Sequence, residues 1–188
     1  MRCTWCNGDP DYVAYHDNEW GRPLHDDRAL FELIILEGMQ AGLSWLTILK
    51  KREAFREAFC DFDPARVAEL NESDVERLMQ FPGIIHNRRK ILCAISNARA
   101  FMAIQREYGS FDRFIWSFVD YKPIVNAPAP GEVLASTPLS ERISKELKAR
   151  GFKFVGAVIV YSFMQAAGLV NDHEKQCYLC GVSENADI

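Results

Sequence analysis

An all-α fold is predicted for this 188-residue chain. Apolar side chains recur at spacings of three and four, and helix-start residues stand just ahead of those runs. No two segments alternate apolar with polar residues across a hairpin turn. Taken in order, Asp26-Asp27 opens a run containing Leu30, Phe31, Leu33, Ile34, Ile35 and Leu36, with Gly38 at its far end. Ser44 is placed to cap a helix over residues 45–59. Asp63-Pro64 sets a capping carboxylate before a first-turn proline and starts a short helix through Leu70. Ser73-Asp74-Val75-Glu76 fits the capping-box pattern and begins the next helix. Pro82-Gly83 breaks the chain before a long helix over residues 84–108, and further helices are expected at 111–119, 139–150 and 155–168. Residues 122–138 hold Pro123, Pro128, Pro130, Pro138 and Gly131 and read as an extended loop.

With 48% hydrophobic and 26% charged residues, the composition is that of a globular protein able to bury a core without disulfides. The first ten residues lack the apolar stretch of a secretory signal. The greasiest stretch, residues 155–170, is interrupted by Ser162 and Gln165 and is too short to span a bilayer. A cytoplasmic protein, away from any membrane, is expected. The net charge of −4 by itself argues against a nucleic-acid partner. The distribution says otherwise. Residues 1–37 hold eight acidic side chains against three basic ones, whereas residues 84–106 carry Arg88, Arg89, Lys90, Arg99 and Arg106 with no acid. Such a run suits a phosphate backbone, although on charge alone a solvated helix face is the simpler explanation.

Six cysteines in an intracellular chain point to thiol or metal chemistry more than to disulfides. Cys3 and Cys6 lie at one end, Cys177 and Cys180 near the other, and His16 and His173 flank the same ends. Zinc takes four nitrogen or sulfur ligands in any chain order, and a site built from both termini would cross-link them. Two sets compete on spacing. One is Cys3-x-x-Cys6 with Cys177-x-x-Cys180; the other is Cys3, His16, His173 and Cys177. Spacing leans toward the first. Either set closes the coordination shell, so the metal would be structural.

Glu37 stands out because it lies on the apolar stripe of its helix, three residues after Ile34 and seven after Leu30. Gly38 and Gly42 permit close backbone approach nearby, and Gln40, Trp45, Tyr15 and Trp20 offer stacking and hydrogen-bonding groups. A carboxylate among aromatic faces suits a cationic planar ligand. Further along, residues 78–90 join two helices through Pro82-Gly83, followed by Ile84, Ile85, Arg88, Arg89 and Lys90. Backbone N–H groups at the start of the second helix would meet a DNA phosphate without reading its base.

Several ordered blocks carry a family resemblance: Tyr12-Val13-Ala14-Tyr15-His16-Asp17-Asn18-Glu19-Trp20-Gly21, Leu36-Glu37-Gly38-Met39-Gln40-Ala41-Gly42-Leu43-Ser44-Trp45, Gly151-Phe152-Lys153-Phe154-Val155-Gly156, Tyr161-Ser162-Phe163-Met164-Gln165-Ala166, and Gly168-Leu169-Val170-Asn171-Asp172-His173. Together they resemble the type I 3-methyladenine DNA glycosylases over nearly the whole chain. The resemblance implies a helix-hairpin-helix glycosylase fold with a lobe made from both termini (1–45 with 150–188) and a second from 46–149. It implies one structural zinc ion on Cys3, His16, His173 and Cys177, leaving Cys6 and Cys180 as bystanders. By the same resemblance Glu37, Tyr15 and Trp45 line a base pocket with Trp20 and Trp5 as further walls, and Gly42 and Leu43 lie beside the gap left in the duplex. The catalytic aspartate usual in the wider superfamily has no counterpart, because no carboxylate lies between Lys90 and Glu107. The expected activity is monofunctional release of 3-methyladenine from alkylated duplex DNA by a monomer.

Overall fold

The computed structural model describes residues 1–181 apart from residue 7. Ten α-helices are present among them, with a single pair of two-residue strands. The first helix, α1 (Pro10–Asn18), escapes the periodicity reading because it is short and weakly apolar. Its start nevertheless carries the same signal as Asp63-Pro64. Asp9 caps it by accepting from Asp11 N–H at 3.0 Å, ahead of a first-turn proline.

The central helix, α2 (Asp27–Gln40), is buried along nearly its whole length, from Leu30 to Met39. The single helix expected over 45–59 is broken into α3 (Trp45–Leu49) and α4 (Arg52–Ala58). The break turns Arg52 and Arg56 toward Glu32 of α2, with Arg56 Nη2 2.9 Å from its carboxylate. After α5 (Pro64–Ala68), the cap of α6 (Glu72–Gln80) falls two residues earlier than read from sequence. Asn71 accepts from Ser73 N–H at 2.9 Å, and Asp74 accepts from Asn71 N–H at 3.0 Å, a capping box one frame upstream. The long helix α7 (Arg88–Tyr108) begins four residues later than expected. Ile84 leaves the helical path to enter the core, and Asn87 supplies the cap to Lys90 N–H at 3.1 Å.

Helices α8 (Phe111–Trp116), α9 (Pro138–Ala149) and α10 (Ala157–Ala166) follow the expected order. The helical core gathers α2, α7, α8 and α10 around fully buried phenylalanines, with Phe101 5.1 Å from Phe31 and 4.2 Å from Phe111 between ring centres. The proline-rich stretch is extended as read, but it pairs. Strand β1 (Ile124–Val125) runs parallel to β2 (Val170–Asn171), Ile124 opposite Val170. Extended backbone leaves unpaired polar groups, and the chain emerging from α10 supplies partners for them. Two residues per strand leave the all-α class intact. No helix of the described residues is long and apolar enough to cross a membrane.

Candidate functional site

Among the described residues, segments near the two ends of the chain meet. Tyr178 N–H donates to Met1 carbonyl at 3.0 Å, and Thr4 N–H donates to the Glu174 carboxylate at 2.8 Å. Between them Cys3, His16, His173 and Cys177 converge, all four buried, with their ligand atoms within 4.8 Å of one another. Of the two sets that spacing left open, the fold gathers the second. Cys6 and Cys180 stand outside the cluster.

The donor set fits a tetrahedral metal. Cys177 Sγ lies 3.4 Å from His16 Nε2 and 3.5 Å from His173 Nδ1, and Cys3 Sγ lies 3.5 Å from the same Nδ1. A tetrahedron with bonds of about 2.0–2.3 Å has edges of about 3.3–3.8 Å. The far nitrogen of each imidazole is already engaged: His16 Nδ1 with Asp17 at 2.8 Å, His173 Nε2 with the Trp20 carbonyl at 3.0 Å. Those contacts fix the tautomers that aim the other nitrogens inward. Burial holds His173 down to about 4, which keeps its imidazole in the neutral form that ligates a metal, whereas burial pushes the Cys3 thiol up to about 12, so its thiolate needs a nearby cation.

Beside this cluster lies a cavity of about 410 Å³, whose lining includes Trp5, Tyr12, Tyr15, Trp20, Glu37 and Trp45. The lining also includes Ser162 and Gln165 of α10, Asp172 and Glu174 on either side of His173, and loop residues 131–134. Trp5 stands edge-on to Trp20 at 5.0 Å and to Tyr12 at 5.6 Å, while Tyr15 and Trp45 are 5.6 Å apart. Trp20 also packs edge-on against the His173 ring at 4.7 Å, so pocket and cluster share a wall.

Glu37 is 3% exposed, and its Oε2 has no hydrogen-bond partner. Burial alone pushes its carboxyl up from the usual 4.5 to about 8. The contrast with Glu32, one and a half turns earlier on the same helix, is instructive. Glu32 is also buried, yet Arg52 and Arg56 neutralise it. Tyr15, likewise enclosed, has its hydroxyl pushed well above the ordinary 10 by burial and then by the Glu37 charge.

Asp172 and Glu174 carried no sequence signal beyond flanking His173. Asp172 accepts from Tyr161 O–H, Gln165 and Asn126 at 2.6–2.7 Å. Glu174 reaches across to Gly131 N–H at 3.1 Å and so ties the proline-rich loop to the terminal lobe. The loop's place in the pocket wall depends on these long-range contacts, which local sequence does not encode.

Residues expected at a nucleic-acid surface separate into two groups. Gly42, Leu43, Pro82, Gly83 and Arg89 are exposed. Ile84 is buried and Ile85 half-buried. Arg88 is drawn back onto α6 by Glu72 and Glu76, and Arg89 lies 5.5 Å over the Phe154 ring. Lys90 is the clearest departure. It is 8% exposed, and its Nζ donates to the carbonyls of Met39 at 2.8 Å and Ala41 at 2.7 Å. The basic run therefore presents less free charge than its sequence suggests.

The described residues thus form a helical shell that encloses a carboxylate among aromatic rings beside a Cys2His2 cluster. Comparison with known proteins narrows the class. The sequence profile described as methyladenine glycosylase matches residues 5–180. DNA-3-methyladenine glycosylase 1 of Escherichia coli (strain K12) is 55% identical over 177 residues, 94% of this chain and 95% of that protein. The 3-methyladenine DNA glycosylase I of Staphylococcus aureus superposes with a TM-score of 0.93 at 44% identity, covering 96% of this chain and 97% of the other. A further glycosylase I structure, solved in complex with 3-methyladenine, superposes at 0.94 with 44% identity, covering 97% and 98%. The chain belongs to the methyladenine glycosylase family and is a glycosylase acting on N-glycosyl bonds.

The state of Glu37 makes a stability prediction. A carboxyl held near 8 when folded and near 4.5 when unfolded contributes stability that is complete below pH 4.5 and is lost as pH rises to 8. The loss amounts to roughly 3–5 kcal/mol. Denaturant unfolding at pH 5 and pH 8 is expected to show that decline in the wild type and little of it in Glu37→Gln. Parallel behaviour of the two proteins would remove the assigned burial cost.

Proposed function

We propose that this protein releases 3-methyladenine from alkylated duplex DNA by monofunctional hydrolysis of the N-glycosidic bond, after the damaged nucleotide is flipped into the aromatic cavity. The observation that carries this reading is the unpartnered Glu37 Oε2, enclosed beside Tyr15, Trp20 and Trp45. An N3-methylated adenine in DNA is cationic, so its glycosidic bond is already weakened and it departs as a neutral base. Little acid catalysis is required. The cavity's work is selection. Glu37, ionised when the cation enters, accepts hydrogen bonds from the base, Tyr15 adds a polar contact, and the indoles of Trp45, Trp20 and Trp5 supply ring faces. An ordinary neutral adenine would leave a buried carboxylate without its counter-charge, which disfavours it. The glycosylase I structure that holds 3-methyladenine supports the same ligand here.

In this reading the turn between α6 and α7 is a helix-hairpin-helix element. Pro82 and Gly83 are exposed, and the free N–H groups at the start of α7, with Arg89, meet the phosphate backbone. Gly42 and Leu43 enter the space vacated by the flipped nucleotide. One zinc ion on Cys3, His16, His173 and Cys177 would supply no chemistry at the base. Its role is to cross-link the termini and hold Trp20 and Glu174 in the pocket wall.

Methylated duplex DNA incubated with the protein is expected to yield free 3-methyladenine; none released by zinc-loaded protein would refute the reading. The protonated form of Glu37 cannot balance the cation, so kcat/KM for excision is expected to rise with pH toward about 8. Glu37→Gln should lower it about 10²-fold and flatten the profile. Metal analysis should find one zinc per chain. Cys177→Ser should lose it along with several kcal/mol of stability, and Cys6→Ser should keep it. Retention of zinc by Cys177→Ser would reject the assigned ligands.

A further inference from the structure

Helix α2 ends at Gln40 in a tight turn. Ala41 has φ −45° and ψ 113°, Gly42 has φ +82°, and Leu43 N–H donates back to the Gln40 carbonyl at 2.6 Å. These are the angles of a type II β-turn, which requires the left-handed conformation that Gly42 supplies. The turn projects Leu43, 40% exposed, at the rim beside the pocket residue Gln40. Helix ends leave carbonyls unpaired. Here the Met39 and Ala41 carbonyls are both taken by the ammonium of Lys90, which arrives from the first turn of α7. The small cavity around Lys90 is lined by Ile34, Met39, Cys93, Ala94 and Phe154, with no acidic side chain. The ammonium is therefore held by those two carbonyls and not by an ion pair. Its stem crosses from the helix that follows the Pro82-Gly83 turn to the helix that carries Glu37.

We propose that Lys90 is a positioning residue for excision from duplex DNA: it fixes the 40–43 turn so that Leu43 enters the gap in the base stack when the α6–α7 turn engages the backbone. The inference rests on the reading of Leu43 given above. It assigns Lys90 a role different from direct phosphate contact. A single-stranded substrate has no gap to fill, so the contribution is specific to the duplex.

The experiment compares excision from one methylated oligonucleotide, annealed and single-stranded, alongside affinity for free 3-methyladenine. Lys90→Met is expected to lose tenfold to a hundredfold in kcat/KM on the duplex, the scale of an ångström-sized misplacement. It should stay within twofold of wild type on the single strand and in free-base affinity. Leu43→Ala should show the same pattern, and the double variant should be no worse than the poorer single variant, because both changes remove one function. Lys90→Gln, which keeps an apolar stem and a donor, should fall between, and it serves if Lys90→Met does not fold. Equal losses on both substrates would reduce Lys90 to a scaffold role and overturn the proposal, as would additive losses in the double variant or full duplex activity in Lys90→Met. Failure of the wild type to excise from either substrate would instead refute the glycosylase reading and this inference with it.

Discussion

A carboxylate surrounded by hydrocarbon and ring edges keeps its proton unless a positive charge arrives, and the arrangement around Glu37 follows from that constraint. Helix α2 is buried along almost its whole length, so any acid on it must be neutralised, protonated or served by a ligand. Glu32 takes the first route through Arg52 and Arg56. Glu37 has no cation and is left with a bare oxygen facing the cavity. The break between α3 and α4 serves the first; the aromatic walls serve the second. One helix thus carries a structural charge and a chemical one, distinguished by what packs against them.

The metal cluster and the pocket are mechanically one object. Trp20 presents its ring to the cavity and its carbonyl to His173, while Glu174 donates its N–H to Cys3 Sγ and binds Thr4 and Gly131 through its carboxylate. Segments at both ends of the chain would otherwise lack the buried area to hold their places. A metal held by the four side chains would transfer rigidity to the wall that includes Trp5, Thr4 and the loop at residues 131–134. On this view loss of the metal would damage recognition by loosening that wall.

Much of this was legible from residue order. The amphipathic run of α2, the Asp63-Pro64 start and the Pro82-Gly83 break are local signals, and the helices follow them. Glu37 was visible as an acid on an apolar stripe, the kind of local conflict that marks a candidate site. What the residues alone left open, and the family resemblance pointed to, was the choice between two cysteine sets, because Cys-x-x-Cys spacing says nothing of where the histidine rings point; the fold brings His16 and His173 together and leaves Cys6 and Cys180 aside. The inward turn of Lys90 was not legible for a related reason. In a run of three cations, only the helix register decides which one faces inward, and register depended on α7 starting at Arg88. Residues 131–134 were legible as loop but not as pocket wall, since their placement follows from the β1–β2 pairing upstream and from the Glu174 contact to Gly131.

The central claim is that Glu37 is an uncompensated buried acid awaiting a cation. Carboxyl-carbon NMR titration of the Glu37 side chain, with and without a permanently charged purine such as 3,9-dimethyladeninium, addresses it most directly. The account requires a midpoint near 8 in the free protein. Saturation with the charged purine should bring that midpoint down by about two units or more, since a close opposite charge favours the ionised form. A free-protein midpoint near 4.5, or one unmoved by the bound cation, would contradict it.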